Sequence, residues 1–332
     1  MNPRTHFGTL MQIYFTDHLM GRKGVSPCTI GSYRDTFRLL VSFVAKESGR
    51  PPARLETTDL DAPMILAFLG NLERERGNSP RTRNCRLAAI HSFFSFVALH
   101  EPSLGGIVQR VLAIQGKRFG KRMVEYLTRP EMNALLDTPS AVTWSGQRDR
   151  MLLLVALECG LRVSELTGLR CQDFVRGSGA HITCAGKGRK SRRVPLRPQT
   201  EKAMLRWLRV RGDQPQDILF PNVHGGRLSR DGVQYILDKH VGKARQACPS
   251  LAGKRVSPHV LRHSTAMRLL ESGVDCSVIA LWLGHESLET THAYLHASLE
   301  MKEMVLAKTQ PPDCRQARYR PPDALLSFLD SL

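Results

Sequence analysis

The sequence predicts a mainly α-helical protein with a small β-hairpin in its second half, organised as an N-terminal helical bundle followed by a larger α+β domain. Three observations predict this. The chain has 332 residues, and a single core commonly organises only about 100–200, so two domains are expected. Apolar residues recur at three- and four-residue steps along most of the chain, which lays a stripe on one face of a helix. One interruption, His181 to Leu196, reads instead as two short strands around a glycine-containing turn.

In the first hundred residues Ser26-Pro27 opens a helix whose stripe is Tyr33, Phe37, Leu40, Val41 and Val44. Ser26 can cap it, and proline suits the first helical position because its missing N–H would have been unpaired there anyway. The same device returns at Ser79-Pro80. Ser26, Pro27, Thr29 and Ser42-Phe43-Val44-Ala45 align with Ser79, Pro80, Thr82 and Ser95-Phe96-Val97-Ala98, which reads as two similar helices in one bundle, although shared helix grammar also produces such matches. Thr58 to Leu72 supplies another helical pattern through Leu60, Ile65, Phe68, Leu69 and Leu72. A bundle of about four helices over residues 1–102 follows.

Residues 103–123 carry four glycines beside Lys117, Arg118, Lys121 and Arg122, and are expected to form an exposed basic linker. A second domain over 124–309 then begins with Thr128 as an N-cap and Arg129-Pro130-Glu131 as a first helical turn. Its hairpin pairs His181–Cys184 with Arg192–Leu196 and presents Lys187 at a basic tip. Residues 310–332 combine Pro311-Pro312 and Pro321-Pro322 with Leu325, Leu326, Phe328 and Leu329, a spacer and tail expected to dock rather than float.

Lysine and arginine number 48 against 30 acidic residues, giving a net charge of +18 and a pI near 10.0. Such an excess repels itself unless a polyanion is near, and phosphate backbones gain from many cationic contacts through counterion release. Nucleic acid is the leading partner, with an indifferent basic surface or an anionic membrane as the alternatives. The eight cysteines form no C-x-x-C pair, so neither a zinc ribbon nor a dithiol redox motif is indicated, and a reduced cytosolic setting fits. Met1 to Leu10 lacks the pattern of a secretion signal and no apolar run is long enough to span a bilayer, so a cytoplasmic protein with no membrane partner is expected.

Three stretches carry chemistry. Gly160-Leu161-Arg162-Val163-Ser164-Glu165 follows a strongly apolar helix, which Gly160 is suited to cap. Glu165 stands three residues beyond Arg162, where it can orient the guanidinium; taken alone, this is an ordinary surface ion pair. Ser257-Pro258 opens a helix with His259 and Arg262 on one face near its positive end, a favourable place for a phosphate, although an isolated H-x-x-R more often packs or caps. His263 reads as structural, and no partner supports a zinc site with His259. Leu281-Trp282-Leu283-Gly284 ends a further helix before His285, and Tyr294 follows nine residues later. Displacement at a phosphodiester needs a nucleophile, charge stabilisation on the non-bridging oxygens and a proton donor for the leaving oxygen. Two arginines in fork geometry supply the stabilisation that metal ions give elsewhere, so no acidic metal cluster is required.

The ordered set Arg162, Lys187, His259-x-x-Arg262, His285 and Tyr294, in the wording G-L-R-V-S-E-L, G-K-G-R-K-S-R-R-V-P-L, H-V-L-R-H-S, L-G-H and T-T-H-A-Y, closely resembles the tyrosine recombinase (phage integrase) family, particularly its Xer-type members. The resemblance covers the C-terminal half in motif and the N-terminal half in layout, where it implies a SAM-like core-binding domain on DNA. It implies that Tyr294 attacks the scissile phosphate to form a 3′-phosphotyrosyl link, and that the 5′-hydroxyl of a partner duplex reverses the attack without ATP, metal or other cofactor. Arg162 and Arg262 would hold the non-bridging oxygens, Lys187 would protonate the leaving 5′-oxygen, and His259 would accept the tyrosine proton. His285 would bond the phosphate, and Glu165 would orient the site.

A homo- or hetero-tetramer on two double-stranded recombination sites is implied as well, with Ala324–Leu332 a candidate contact between subunits. The basic linker and extended tail favour a recombinase of a mobile element or plasmid, acting in the bacterial cytoplasm at the nucleoid. The alternatives are an Xer-type resolver of dimers, a type IB topoisomerase, and a DNA-binding regulator that has lost cleavage.

Overall fold

A computed structural model of the chain describes residues 6–120, 125–186, 191–212 and 217–284. They fall into two compact units, Met1–Lys121 and Arg122–Leu332.

The first unit is helical. Helix α1 (Phe7–Ile13) runs on as a π-helix over Tyr14–Arg22 and is followed by α2 (Pro27–Ser48), α3 (Ala62–Arg74), α4 (Pro80–His100) and α5 (Gly105–Leu112). The paired Ser-Pro starts are built alike: Ser26 Oγ accepts the Thr29 N–H at 3.2 Å and Ser79 Oγ accepts the Thr82 N–H at 3.3 Å, each satisfying a donor the helix leaves orphaned. Between α2 and α4 the core is aromatic, with the rings of Phe37 and Phe93 crossing edge to face at 5.3 Å. Tyr14 is fully buried here and donates its hydroxyl to Ser92 Oγ at 2.8 Å; burial pushes its pKa up to about 12.

Two expectations for this unit are corrected. The helix read from Thr58 begins at Ala62, where Asp61 caps it by accepting the Met64 N–H at 2.9 Å; Leu60 reaches the core from the preceding turn, which imitated the helical stripe. The exposed linker over 103–123 is helical over Gly105–Leu112, with Val108 and Val111 buried in the core of this unit. Glycines 105 and 106 read as a loop signal, but the three- and four-residue steps of Ile107, Val108, Val111 and Ile114 are the packing signal. Beyond α5, Lys117 is tied back by its ammonium to Glu73 at 2.7 Å and by its backbone to Asn84.

The second unit contains α6 (Arg129–Asp137), α7 (Trp144–Cys159), α8 (Val163–Gly168), α9 (Pro198–Arg211), α10 (Arg230–Ala247), α11 (Pro258–Glu271) and α12 (Cys276–Leu283), with a three-stranded antiparallel sheet between α8 and α9. The sheet runs β1 (Phe174–Val175), β2 (His181–Ala185), β3 (Ser191–Pro195) in spatial order. The expected hairpin is β2–β3. The two-residue β1 was missed, being too short for alternation to show.

Helix α7 is the hub: it is buried on nearly every side from Met151 to Cys159 and packs against both α9 and α11. Its one buried acid in the first half, Asp149, accepts from Arg148 at 2.7 Å and meets His240 Nε2 at 3.0 Å, tying α7 to α10. Among the described residues no helix is long and apolar enough to cross a membrane.

Candidate active site

The end of α7 sets the site. Gly160 caps it in the left-handed region, φ 62°, and a Cβ placed there would lie 2.6 Å from Leu283 Cδ2 and 3.2 Å from Thr265 Cβ. Glycine is required twice over, by the backbone angle and by the close approach of α11 and α12. Gly160→Ala is expected to lower unfolding stability by about 2–4 kcal/mol, combining left-handed strain with overpacking. Urea unfolding measures it, and a loss under about 0.5 kcal/mol, the scale of an ordinary surface change, would contradict the packing described.

Two residues past this cap Arg162 is the N-cap of α8, and Glu165 in the first turn accepts both its backbone N–H at 2.8 Å and its Nη1 at 3.0 Å. Arg162 Nη2 donates to the Gly284 carbonyl at 2.8 Å. From the second turn of α11, Arg262 donates through Nη1 to the Gly160 carbonyl and through Nη2 to the Leu283 carbonyl, both at 2.7 Å. The two guanidinium groups are therefore anchored on adjacent carbonyls, 283 and 284, at the C-terminal end of α12, where helical carbonyls have no partner of their own. Arg262 is 5% exposed, whereas the Arg162 side chain keeps 33% of its surface.

His259 stands in the first turn of α11, whose cap Ser257 Oγ accepts the Val260 N–H. Burial, followed by the positive charges of Arg230, Arg262 and Arg162, holds its pKa below the usual histidine value. At neutral pH the ring is uncharged and can accept a proton. His263, expected to be structural, is pushed down to about 4 by burial and then by His259 and Arg262. An open hollow beside His259 is lined by Arg230 and Arg255 together with Asp231 and Asp238.

Four expected site residues, Arg162, Glu165, His259 and Arg262, are thus gathered around the ends of α7, α11 and α12. Lys187, His285 and Tyr294 lie outside the described residues. Sequence reasoning missed Arg192 on β3, which grips Glu165 at 2.9 and 2.8 Å. Its signal was present: it stands two residues before the buried Val194, on the inward side of a strand, where a charge calls for a partner.

Two family models match the chain, the phage integrase family over residues 125–301 and the phage integrase N-terminal SAM-like domain over residues 13–101. The inferred integrase/recombinase y4rC of Sinorhizobium fredii is 51% identical, with 100% of both chains covered. The tyrosine recombinase XerC of Pelobacter propionicus is 34% identical over 90% of this chain and 94% of its own. Among solved structures, the XerH site-specific recombinase in a post-cleavage complex with palindromic difH substrate has a similar fold, with a TM-score of 0.70 at 23% identity over 90% of this chain and 84% of that one.

Proposed function

The chain belongs to the phage integrase family, whose members cut and rejoin DNA, and from that premise we propose that it is a site-specific tyrosine recombinase using Tyr294 as nucleophile. The observation that carries the assignment of roles is the anchoring of Arg162 and Arg262 on the neighbouring carbonyls of Leu283 and Gly284. Two cationic forks held this way form a fixed cradle for the two non-bridging oxygens of one phosphate.

The Tyr294 hydroxyl oxygen bonds to phosphorus as the bond to the 5′-oxygen breaks. Its proton passes to His259, while Lys187 protonates the departing 5′-oxygen. Glu165 orients Arg162, and His285 donates a hydrogen bond to the phosphate. One phosphodiester is exchanged for another, so a 5′-hydroxyl of the partner duplex restores the DNA backbone with no energy source.

The assembly is a homo- or hetero-tetramer on two double-stranded recombination sites, with residues 1–102 as the core-binding domain, 124–309 as the catalytic domain, 310–332 as a spacer and tail, and Ala324–Leu332 at subunit contacts. The setting is the bacterial cytoplasm, at nucleoid DNA. Service to a mobile element or plasmid is favoured over dimer resolution because the relative matching from end to end carries an integrase/recombinase name, at higher identity than the XerC relative.

The test is recombination between two DNA duplexes drawn from around the protein's own gene, in the presence of EDTA. Recombinant junctions at one defined position are expected. Relaxation of supercoils without junctions would support a topoisomerase, and tight binding without cleavage a regulator. Because His259 is held neutral, single-turnover cleavage should stay level as pH is lowered from about 8 through neutrality, and fall only as pH drops below the ordinary histidine value of 6.5 and through the lowered one. A rate that falls already between pH 8 and 7, on the acid side of an elevated pKa, would show that His259 is not the neutral acceptor.

A further inference from the structure

We propose that Arg192 is a positioning residue that neutralises the Glu165 carboxylate, so that Glu165 can orient Arg162 without cancelling the charge Arg162 offers to the scissile phosphate. The inference rests on the recombinase reading given above.

The geometry around Glu165 motivates it. The carboxylate is 5% exposed and receives four donors: Oε1 takes Arg162 Nη1 at 3.0 Å and Arg192 Nη1 at 2.9 Å, while Oε2 takes the Arg162 backbone N–H and Arg192 Nη2, both at 2.8 Å. Arg192 therefore holds both oxygens, side on, whereas Arg162 spends one guanidinium nitrogen on the acid. A carboxylate paired with Arg162 alone would leave no net charge there. Two guanidinium groups on one carboxylate leave one positive charge, and it resides on the more exposed partner.

Arg192 itself is placed where it cannot serve the DNA. Its side chain is 12% exposed, its Nε donates to the Trp282 carbonyl at 3.0 Å, and a Cβ on Gly284 would lie 2.9 Å from its Nη1. Its register partner Cys184 is buried, which fixes it on the inward side of the sheet. Within such a water-poor setting Coulomb interactions are screened weakly, so the balance between one and two cations at Glu165 is felt by a phosphate a few ångströms away. Glu165 shows the same balance from its own side: burial opposes its ionisation, yet Arg192 first and Arg162 next hold its pKa below the usual carboxylate value.

The experiment is single-turnover cleavage of the DNA site recovered in the recombination assay, compared across wild type, Arg192→Met, Arg192→Lys, and the double variant Arg192→Met with Glu165→Gln. DNA affinity and thermal melting are followed in parallel. Arg192→Met is expected to slow cleavage about a hundredfold, the scale of losing one preorganised electrostatic contribution, with DNA affinity unchanged. Arg192→Lys, which keeps the charge, should stay within about tenfold of wild type, and Glu165→Gln should speed up the Arg192→Met protein by removing the uncompensated acid.

A merely structural role makes the second substitution add to the damage of the first, so a double variant no faster than Arg192→Met overturns the proposal. A lysine variant as slow as the methionine one, or a methionine variant at wild-type rate, overturns it equally. Should Arg192→Met fail to fold, the lysine variant alone still decides, since a folded lysine protein slowed a hundredfold has the charge and lacks the rate. A wild-type protein that leaves the site uncut refutes the recombinase reading instead, before any variant is compared.

Discussion

Tyr294→Phe is expected to abolish strand cleavage, by at least about ten-thousandfold, while leaving DNA affinity within about twofold. On the proposed mechanism the phenol oxygen is the atom that bonds to phosphorus, and phenylalanine lacks it. Two other tyrosines with described positions are poor substitutes. Tyr14 is sealed in the helical core of the first unit with its hydroxyl on Ser92 and its pKa raised to about 12. Tyr235 is 71% exposed on α10, and its sequence context lacks the H-x-x-R spacing and the following turn that precede Tyr294. Cleavage is read as a covalent protein–DNA band under single-turnover conditions. Residual cleavage within a hundredfold of wild type would remove Tyr294 from the role.

Arg262→Ala should produce the second largest effect and a double one. Loss of a fork that stabilises the transition-state charge is expected to cost about a hundredfold to a thousandfold in cleavage rate. The same change leaves the Gly160 and Leu283 carbonyls without the donors that now lie at 2.7 Å. Removing a buried cation that satisfies two carbonyls should lower stability by about 2–4 kcal/mol. Arg162→Ala separates the two consequences. Its side chain is 33% exposed, so it should lose a similar amount of rate with a smaller loss of stability, within about 1 kcal/mol. Cleavage rates and urea unfolding measured on both variants decide the matter. A larger stability loss for Arg162→Ala than for Arg262→Ala would reverse the assignment of which arginine is the more structural.

Much of this was legible in the sequence because the signals were local. Ser26-Pro27, Ser79-Pro80 and Ser257-Pro258 each combine a capping hydroxyl with a proline at the first helical position, and each starts a helix where expected. Gly160 and Gly284 were recognisable as helix ends, and both adopt left-handed angles. The Arg162–Glu165 pair followed from a three-residue spacing. What escaped depended on contacts between distant segments. Helix α5 is held by burial of Val108 and Val111 in the core of the first unit, which outweighs the poor helical propensity of Gly105 and Gly106. Arg192 lies 27 residues from Glu165 along the chain, and only the sheet register brings them together. The convergence of Arg162 and Arg262 on the end of α12 is likewise a tertiary fact, since the carbonyl Arg162 holds lies 122 positions further along the chain.

If the chain breaks DNA as proposed, a phosphotyrosyl bond forms through Tyr294. The most direct measurement is to trap the covalent complex, digest it with protease and nuclease, and locate the nucleotide-bearing peptide by mass spectrometry. A single adduct is expected on the peptide containing Tyr294, joined through a 3′-phosphate and leaving a free 5′-hydroxyl on the other DNA end. An adduct on any other residue, a 5′-phosphate linkage, or cleavage with no covalent adduct would contradict it.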